Sequence, residues 1–166
     1  MKRLIFLICI ALLSISPLAK AQNQPTEEDA IKLLFDKVSD GWNKQDGMAA
    51  AAAFADDASL ISPMGEEARG REAIAKMFNE VVSVILPKSK TSQTVNHVRF
   101  LKPDVAFVDA TQTVTGALTP DGKTMPDLTL HVAALVLKKN GSWWVVDARP
   151  YQLMTPPPAP NPVSEK

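Results

Sequence analysis

His131, Asp147 and Arg149 are the residues whose types and spacing most readily do chemistry. They lie on two apolar stretches, Leu128 to Lys138 and Trp143 to Leu153, separated by Lys139-Asn140-Gly141. A three-residue loop with Gly141 in the left-handed position is a common hairpin solution. That loop pairs Leu137 with Trp143, Leu135 with Val145, Ala133 with Asp147 and His131 with Arg149, and cross-strand partners share a face. A slip of one residue would bury Lys138, which makes this register the cheaper one. The face they share runs from greasy at the turn to polar at its far end. There Asp147 is placed to act as a base, His131 as a proton shuttle and Arg149 as a clamp for an anionic or carbonyl oxygen. The same three residues also read as a structural ion pair with a bonded histidine, since a guanidinium beside a carboxylate makes it a poorer base.

Other chemistry is thinly supplied. Asp109, between Phe107 and Thr111, is a third candidate acid, on a strand whose two faces are both partly apolar. His97 and Arg99 share a strand face and read as a solvent- or dimer-facing pair. The two histidines are far apart, with no Glu-x-x-His or His-x-His spacing, so no metal site is expected. Nucleophile-elbow, dinucleotide-turn and flavin signatures are missing, so no cofactor is expected. Asn140-Gly141-Ser142 fits a glycosylation pattern, but a tight turn explains it better.

These residues need a frame, and the hydrophobic periodicity provides one. Thr26 caps a helix whose first turn holds Glu27, Glu28 and Asp29, favourable at the positive end of the dipole. Ile31, Leu34, Phe35, Val38 and Trp42 form its buried stripe, and Gly41 weakens its last turn. Asp46 caps a short second helix running through the alanines to Phe54. Ala58 to Ser62 alternates as a brief strand, broken at Pro63-Met64-Gly65. Gly70 opens a third helix with Ile74, Met77, Phe78, Val81, Val82 and Ile85 on one face, ended by Pro87. From Ser89 the period becomes two. Strands are expected at Thr91 to Leu101, Val105 to Ala117, Leu128 to Lys138 and Trp143 to Leu153. Helices followed by an antiparallel meander make an α+β domain with the helices on one face of the sheet.

The ends and the charge set the context. Lys2-Arg3, the apolar run Leu4 to Leu13 and Ala19-Lys20-Ala21 read as a signal peptide over residues 1–21. The run is shorter than the ~20 residues a membrane span needs, so no stable membrane insertion is expected after cleavage. Residues 22–25 read as a linker, 26–154 as the folded domain, and 155–166, with five prolines, as a disordered tail. The expected location is exported, periplasmic or secreted. The only cysteine, Cys9, leaves with the signal, so no disulfide framework is expected in the mature chain. Of 18 basic and 18 acidic residues, cleavage removes three basic ones and leaves a formal charge of −3. With no basic stripe, nucleic acid is not an expected partner.

The ordered words along the chain resemble a known family. Trp42-Asn43-Lys44-Gln45-Asp46, Phe54-Ala55-Asp56-Asp57-Ala58 and Gly70-Arg71-Glu72-Ala73-Ile74 resemble signatures of SnoaL-like proteins in the nuclear transport factor 2-like superfamily. His97 to Leu101, Pro103 to Ala106 and Asn140 to Trp143 continue the match, which resembles the SgcJ/EcaC-type branch and the calmodulin-dependent kinase association domains. The resemblance implies a cone: a curved antiparallel sheet packed on three N-terminal helices, around a cavity. Members of the superfamily include isomerases, dehydratases and cyclases that place an Asp or a His–Asp pair deep in the cone, as well as binding and assembly domains. Fold alone does not choose among them.

On that frame Trp42, Phe54, Met64, Met77 and Phe78 become expected cavity lining, although each taken singly is better explained as plain core packing. Tyr151 becomes a hydroxyl at the mouth. The leading expectation is an exported domain binding a small apolar or carbonyl-bearing molecule. A cofactor-free isomerase, dehydratase or cyclase and an assembly module are the alternatives. A homodimer through the sheet is expected, on a face carrying Val108, Ala110, Val114, Val132, Ala134 and Val136.

Overall fold

The computed structural model describes residues 26–153, so the signal, linker and tail segments lie outside the described residues. Helix α1 (Glu27–Asn43) begins where the sequence provides a complete capping box. Thr26 Oγ1 accepts from the Asp29 amide at 3.1 Å, and Asp29 Oδ2 accepts from the Thr26 amide at 3.0 Å. Its stripe of Ile31, Leu34, Phe35, Val38 and Trp42 is buried. Helix α2 (Gly47–Ala51) is capped by Asp46, whose Oδ1 accepts from the Ala49 amide at 2.9 Å. Gly41 is what lets α1 and α2 touch: a Cβ there would lie 2.1 Å from the Ala50 backbone nitrogen.

Strand β1 (Phe54–Ile61) starts four residues earlier than its alternation suggests, because Phe54 already pairs with the last strand. A short β2 (Glu67–Arg69), not anticipated from the sequence, folds back on it after the break at Pro63-Met64-Gly65. Helix α3 (Arg71–Glu80) continues into a π-helical turn, Val81–Ile85, closed by the Leu86 amide donating to the Val81 carbonyl at 2.7 Å. Strands β3 (Lys90–Lys102), β4 (Val105–Thr115), β5 (Leu128–Lys139) and β6 (Ser142–Tyr151) follow as the expected meander. The sheet order is β2-β1-β6-β5-β4-β3. All pairings are antiparallel except β1 with β6, which is parallel and was not anticipated. Irregularities in three of these ladders curve the sheet around the helices, giving an unclosed α+β cone.

The last hairpin departs from its expected register. Its loop is two residues, Asn140 and Gly141, with φ of 51° and 80°, the twist-compatible form of tight hairpin. Lys139 therefore pairs with Ser142 and Lys138 with Trp143. Lys138 does share the helix-side pleat, the outcome treated as too costly above. Glu27 of α1 supplies the missing partner. Lys138 Nζ donates to its Oε1 and Trp143 Nε1 to its Oε2, both at 2.6 Å. One carboxylate thus fastens the start of α1 to the β5–β6 hairpin.

That latch sets a pH dependence. Hydrogen bonds from Lys138, then Trp143, hold the Glu27 carboxyl below its ordinary value of 4.5. A depressed folded-state value adds stability above pH 4.5 that disappears as pH falls through it. Glu27→Gln is expected to lower Tm at neutral pH, with the gap from the parent chain closing in acid. Thermal melts from pH 7 to pH 3, on the order of a unit apart, would show this. A constant gap would refute the latch.

Candidate functional site

The concave face of the sheet and helices α1 and α3 enclose two adjoining chambers. The deep one measures ≈ 40 Å³ and the outer one ≈ 250 Å³, and they share Leu60, Phe78, Gln112 and Pro150. The outer volume lies near the lower end of small-molecule sites, roughly 300–1,000 Å³. Trp42, Met64, Met77 and Phe78 line the outer chamber, and Phe54 and Phe78 the deep one. Met64 stands at the mouth, 88% exposed, while Trp42, Phe54 and Phe78 are buried. Phe78 meets Trp42 edge-on at 6.2 Å and Phe54 at 5.9 Å.

The polar lining is sparse. Trp42 Nε1 is committed to Ser89 Oγ at 3.0 Å, so it presents no donor to the cavity. Among the described residues Glu66 is the only ionisable one in the lining, and it sits on the exposed loop at the mouth. Deep in the cone the polar groups are Gln93 and Gln112, cross-strand partners on β3 and β4. Gln112 Nε2 donates to Thr91 Oγ1 at 3.1 Å, and Thr91 Oγ1 donates to the Thr113 carbonyl at 3.0 Å. Sequence reasoning missed both glutamines. The available signal was Gln112 standing alone in the small uncharged series Ala106, Val108, Ala110, Gln112, Val114, every member of which is buried.

The residues chosen for acid–base chemistry lie elsewhere. His131, Asp147, Arg149, Asp109 and Tyr151 all sit on the convex face of the sheet, and none lines either chamber. They do gather there. Arg149 Nη2 donates to Asp147 Oδ2 at 2.7 Å, with both side chains a little over one-third exposed. Ala133 pairs with Arg149 on one side and Asp109 on the other, while Asp109 pairs with His97. His131 stacks on Tyr151 across the strands, centroids 5.5 Å apart.

Two features cause this inversion: the two-residue turn puts His131 on the pleat opposite Trp143, and a bulge then carries Asp147 and Arg149 to that same side. Val136 pairs with Val145 but Leu135 pairs with Asp147, so Val146 is an extra residue and β6 changes parity. Trp143 and Val145 face the helices before it, and Ala148 and Pro150 face the cavity after it. The single mixed face inferred above does not exist. The apolar set Val108, Ala110, Val114, Val132, Ala134 and Val136, expected on a dimer face, is buried on the helix side.

Residues 35–146, well over half the chain, match the SnoaL-like domain, and the chain belongs to that family. Its fold is the nuclear transport factor 2-like, or cystatin-like, cone. A cystatin-like domain of unknown function from Nostoc punctiforme aligns with a TM-score of 0.67 at 22% identity, over 77% of this chain and 78% of that one. A proposed scytalone dehydratase from Novosphingobium aromaticivorans gives 0.65 at 21%, over 84% and 95%. A proposed calcium/calmodulin-dependent protein kinase II association domain from Xanthomonas campestris gives 0.63 at 22%, over 77% and 89%. At these identities the likeness is one of fold. No curated protein sequence matches the chain.

Proposed function

We propose that the protein is an exported, homodimeric domain that binds a small, mostly apolar molecule inside the cone. The observation that carries this reading is the cavity itself: an apolar lining of ligand size with two deep carboxamides and no ionisable group below the mouth. Acid–base catalysis needs an acid or base within reach of the substrate. Both histidines, Asp109, Asp147 and Arg149 lie on the other side of the sheet, which favours binding over the isomerase or dehydratase alternative. Ligand contact by Trp42, Met77 and Phe78 is part of the proposal.

Binding is expected to depend on the cavity and not on the convex cluster. Leu130→Trp fills the outer chamber beside Leu128 and should reduce uptake of an apolar fluorescent probe by about tenfold or more, a loss of roughly 1.4 kcal/mol. Arg149→Met breaks the Asp147 ion pair and should change uptake less than about twofold, as partly exposed pairs contribute little. The reverse pattern in a titration would defeat the proposal.

The dimer surface is proposed on the convex face. Phe107 and Leu135 pair across β4 and β5, as do Val105 and Leu137, with Trp144 beside Leu137. The flanking Asp109, Asp147 and Arg149 supply both charge signs, which a two-fold axis can match to itself. Light scattering at micromolar concentration should give a dimer, and Phe107→Glu with Leu135→Glu should give a monomer. A monomeric parent chain would rule this surface out.

Export is proposed on the N-terminal pattern alone. Intact mass of protein recovered from the cell envelope should correspond to a chain beginning at or near Gln22; a full-length species in the cytoplasm would exclude it.

A further inference from the structure

The deep end of the cavity holds a polar atom that lacks a partner. Gln112 is 6% exposed and lines both chambers. Its amide nitrogen donates to Thr91 Oγ1, and that hydroxyl gives its single proton to the Thr113 carbonyl. With its proton engaged, Thr91 can only accept, so Gln112 must present nitrogen to it. Turning the carboxamide end for end would set two acceptors against each other. The Gln112 oxygen is thereby fixed away from Thr91, and it accepts no hydrogen bond from any described residue. Among the described residues no fully enclosed side-chain polar atom lacks a partner, so this oxygen opens onto cavity space. An acceptor fixed in place and facing a mostly apolar cavity favours a ligand that brings the donor.

Gln93 stands directly across the ladder and lines the same deep chamber, with its side-chain amide unengaged by any described residue. Unlike Gln112 it is free to turn. A hydroxyl is the group that both donates and accepts. We infer that the cavity takes an uncharged alcohol or phenol on an apolar body, its hydroxyl donating to Gln112 Oε1 and accepting from the Gln93 amide. A carboxylate would meet an acceptor and no cation in the deep lining, and a ketone would leave Gln112 unpaired. This inference rests on the cavity reading above and names the ligand class for that site.

The test uses protein purified from cells expressing the full chain and four matched two-ring probes: tetralin, tetralol, tetralone and tetralin carboxylate. Dissociation constants are measured by calorimetry or equilibrium dialysis. Tetralol should bind tightest, by about five- to tenfold over tetralone, the ratio expected for one buried hydrogen bond. Gln112→Met, close in volume, should remove that preference, leaving tetralol and tetralone bound within about twofold of each other. Thr91→Val frees the carboxamide to turn, so it should raise tetralone towards tetralol. That swap would not follow from mere loss of structure, and circular dichroism checks the fold of both variants. Equal binding of alcohol and ketone by the parent chain, or tightest binding of the carboxylate, would overturn the inference and leave the cavity reading standing. Binding of none of the four would overturn both.

Discussion

Everything in this molecule depends on which pleat of the central strands faces the helices. β4 and β5 offer two sets of side chains. One is Ala106, Val108, Ala110, Ala134 and Val136, small and uncharged; the other is Phe107, Asp109, Thr111, His131 and Leu135. Only the first can be buried without partners, because an unpaired carboxylate taken from water costs several kcal/mol. It also lets α1 approach closely, so its stripe of Ile31, Leu34 and Phe35 is sealed. β6 cannot satisfy this rule as a regular strand. Trp143 and Val145 must be inside, and so must Ala148, while Asp147 and Arg149 must be outside. The extra residue at Val146 resolves the conflict by changing the strand's parity midway.

Much of the frame was legible because its signals are local. Thr26, Asp46 and the 3.6-residue stripes mark helices α1 and α2 in the chain itself. The long strands begin and end within two residues of where alternation puts them. What stayed hidden was decided by distant partners. β1 is extended at Phe54 because Val145 lies beside it, and β2 exists only as an antiparallel mate of β1. The two-residue turn was rejected on the cost of burying Lys138, a sound argument in the absence of Glu27, which lies 111 residues away in sequence.

The site was half legible for a physical reason. Apolar lining follows from helix stripes, so Trp42, Met77 and Phe78 were reachable. The charged residues misled because the side of the pleat they take is set by the two-residue turn and the bulge, neither of which alternation alone reveals. The signature words that carried the family resemblance turn out to be joints. Asn43 accepts from the Thr91 amide at 2.7 Å and donates to its carbonyl at 2.9 Å, tying α1 to β3. Arg71 donates to the Phe54 carbonyl at 2.7 Å, pairs with Asp56 at 3.0 Å and lies 5.1 Å from the Trp144 ring centroid. Such residues fix the corners of the cone, while Trp42 and Phe54 of the same words line its cavity.

The mouth of the cavity follows from one more local irregularity. In an α-helix each residue advances about 100°, so one extra residue in a turn rotates everything after it by that amount. The π-helical turn after Glu80 adds that residue just where α3 reaches the edge of the cone. It brings Val81, Ile85 and Leu86 to the rim of the outer chamber, while Val82 stays in the core. Val84 remains 71% exposed, so the turn is packed on one side only. Thr91, which orients Gln112, begins only five residues after Leu86, on a strand tied to α1 by Asn43. The cavity therefore joins a wall braced by strand ladders to a rim built from a less regular helix end. Polar recognition is placed on the braced wall, where a carboxamide can be held in one orientation, and entry is placed at the rim.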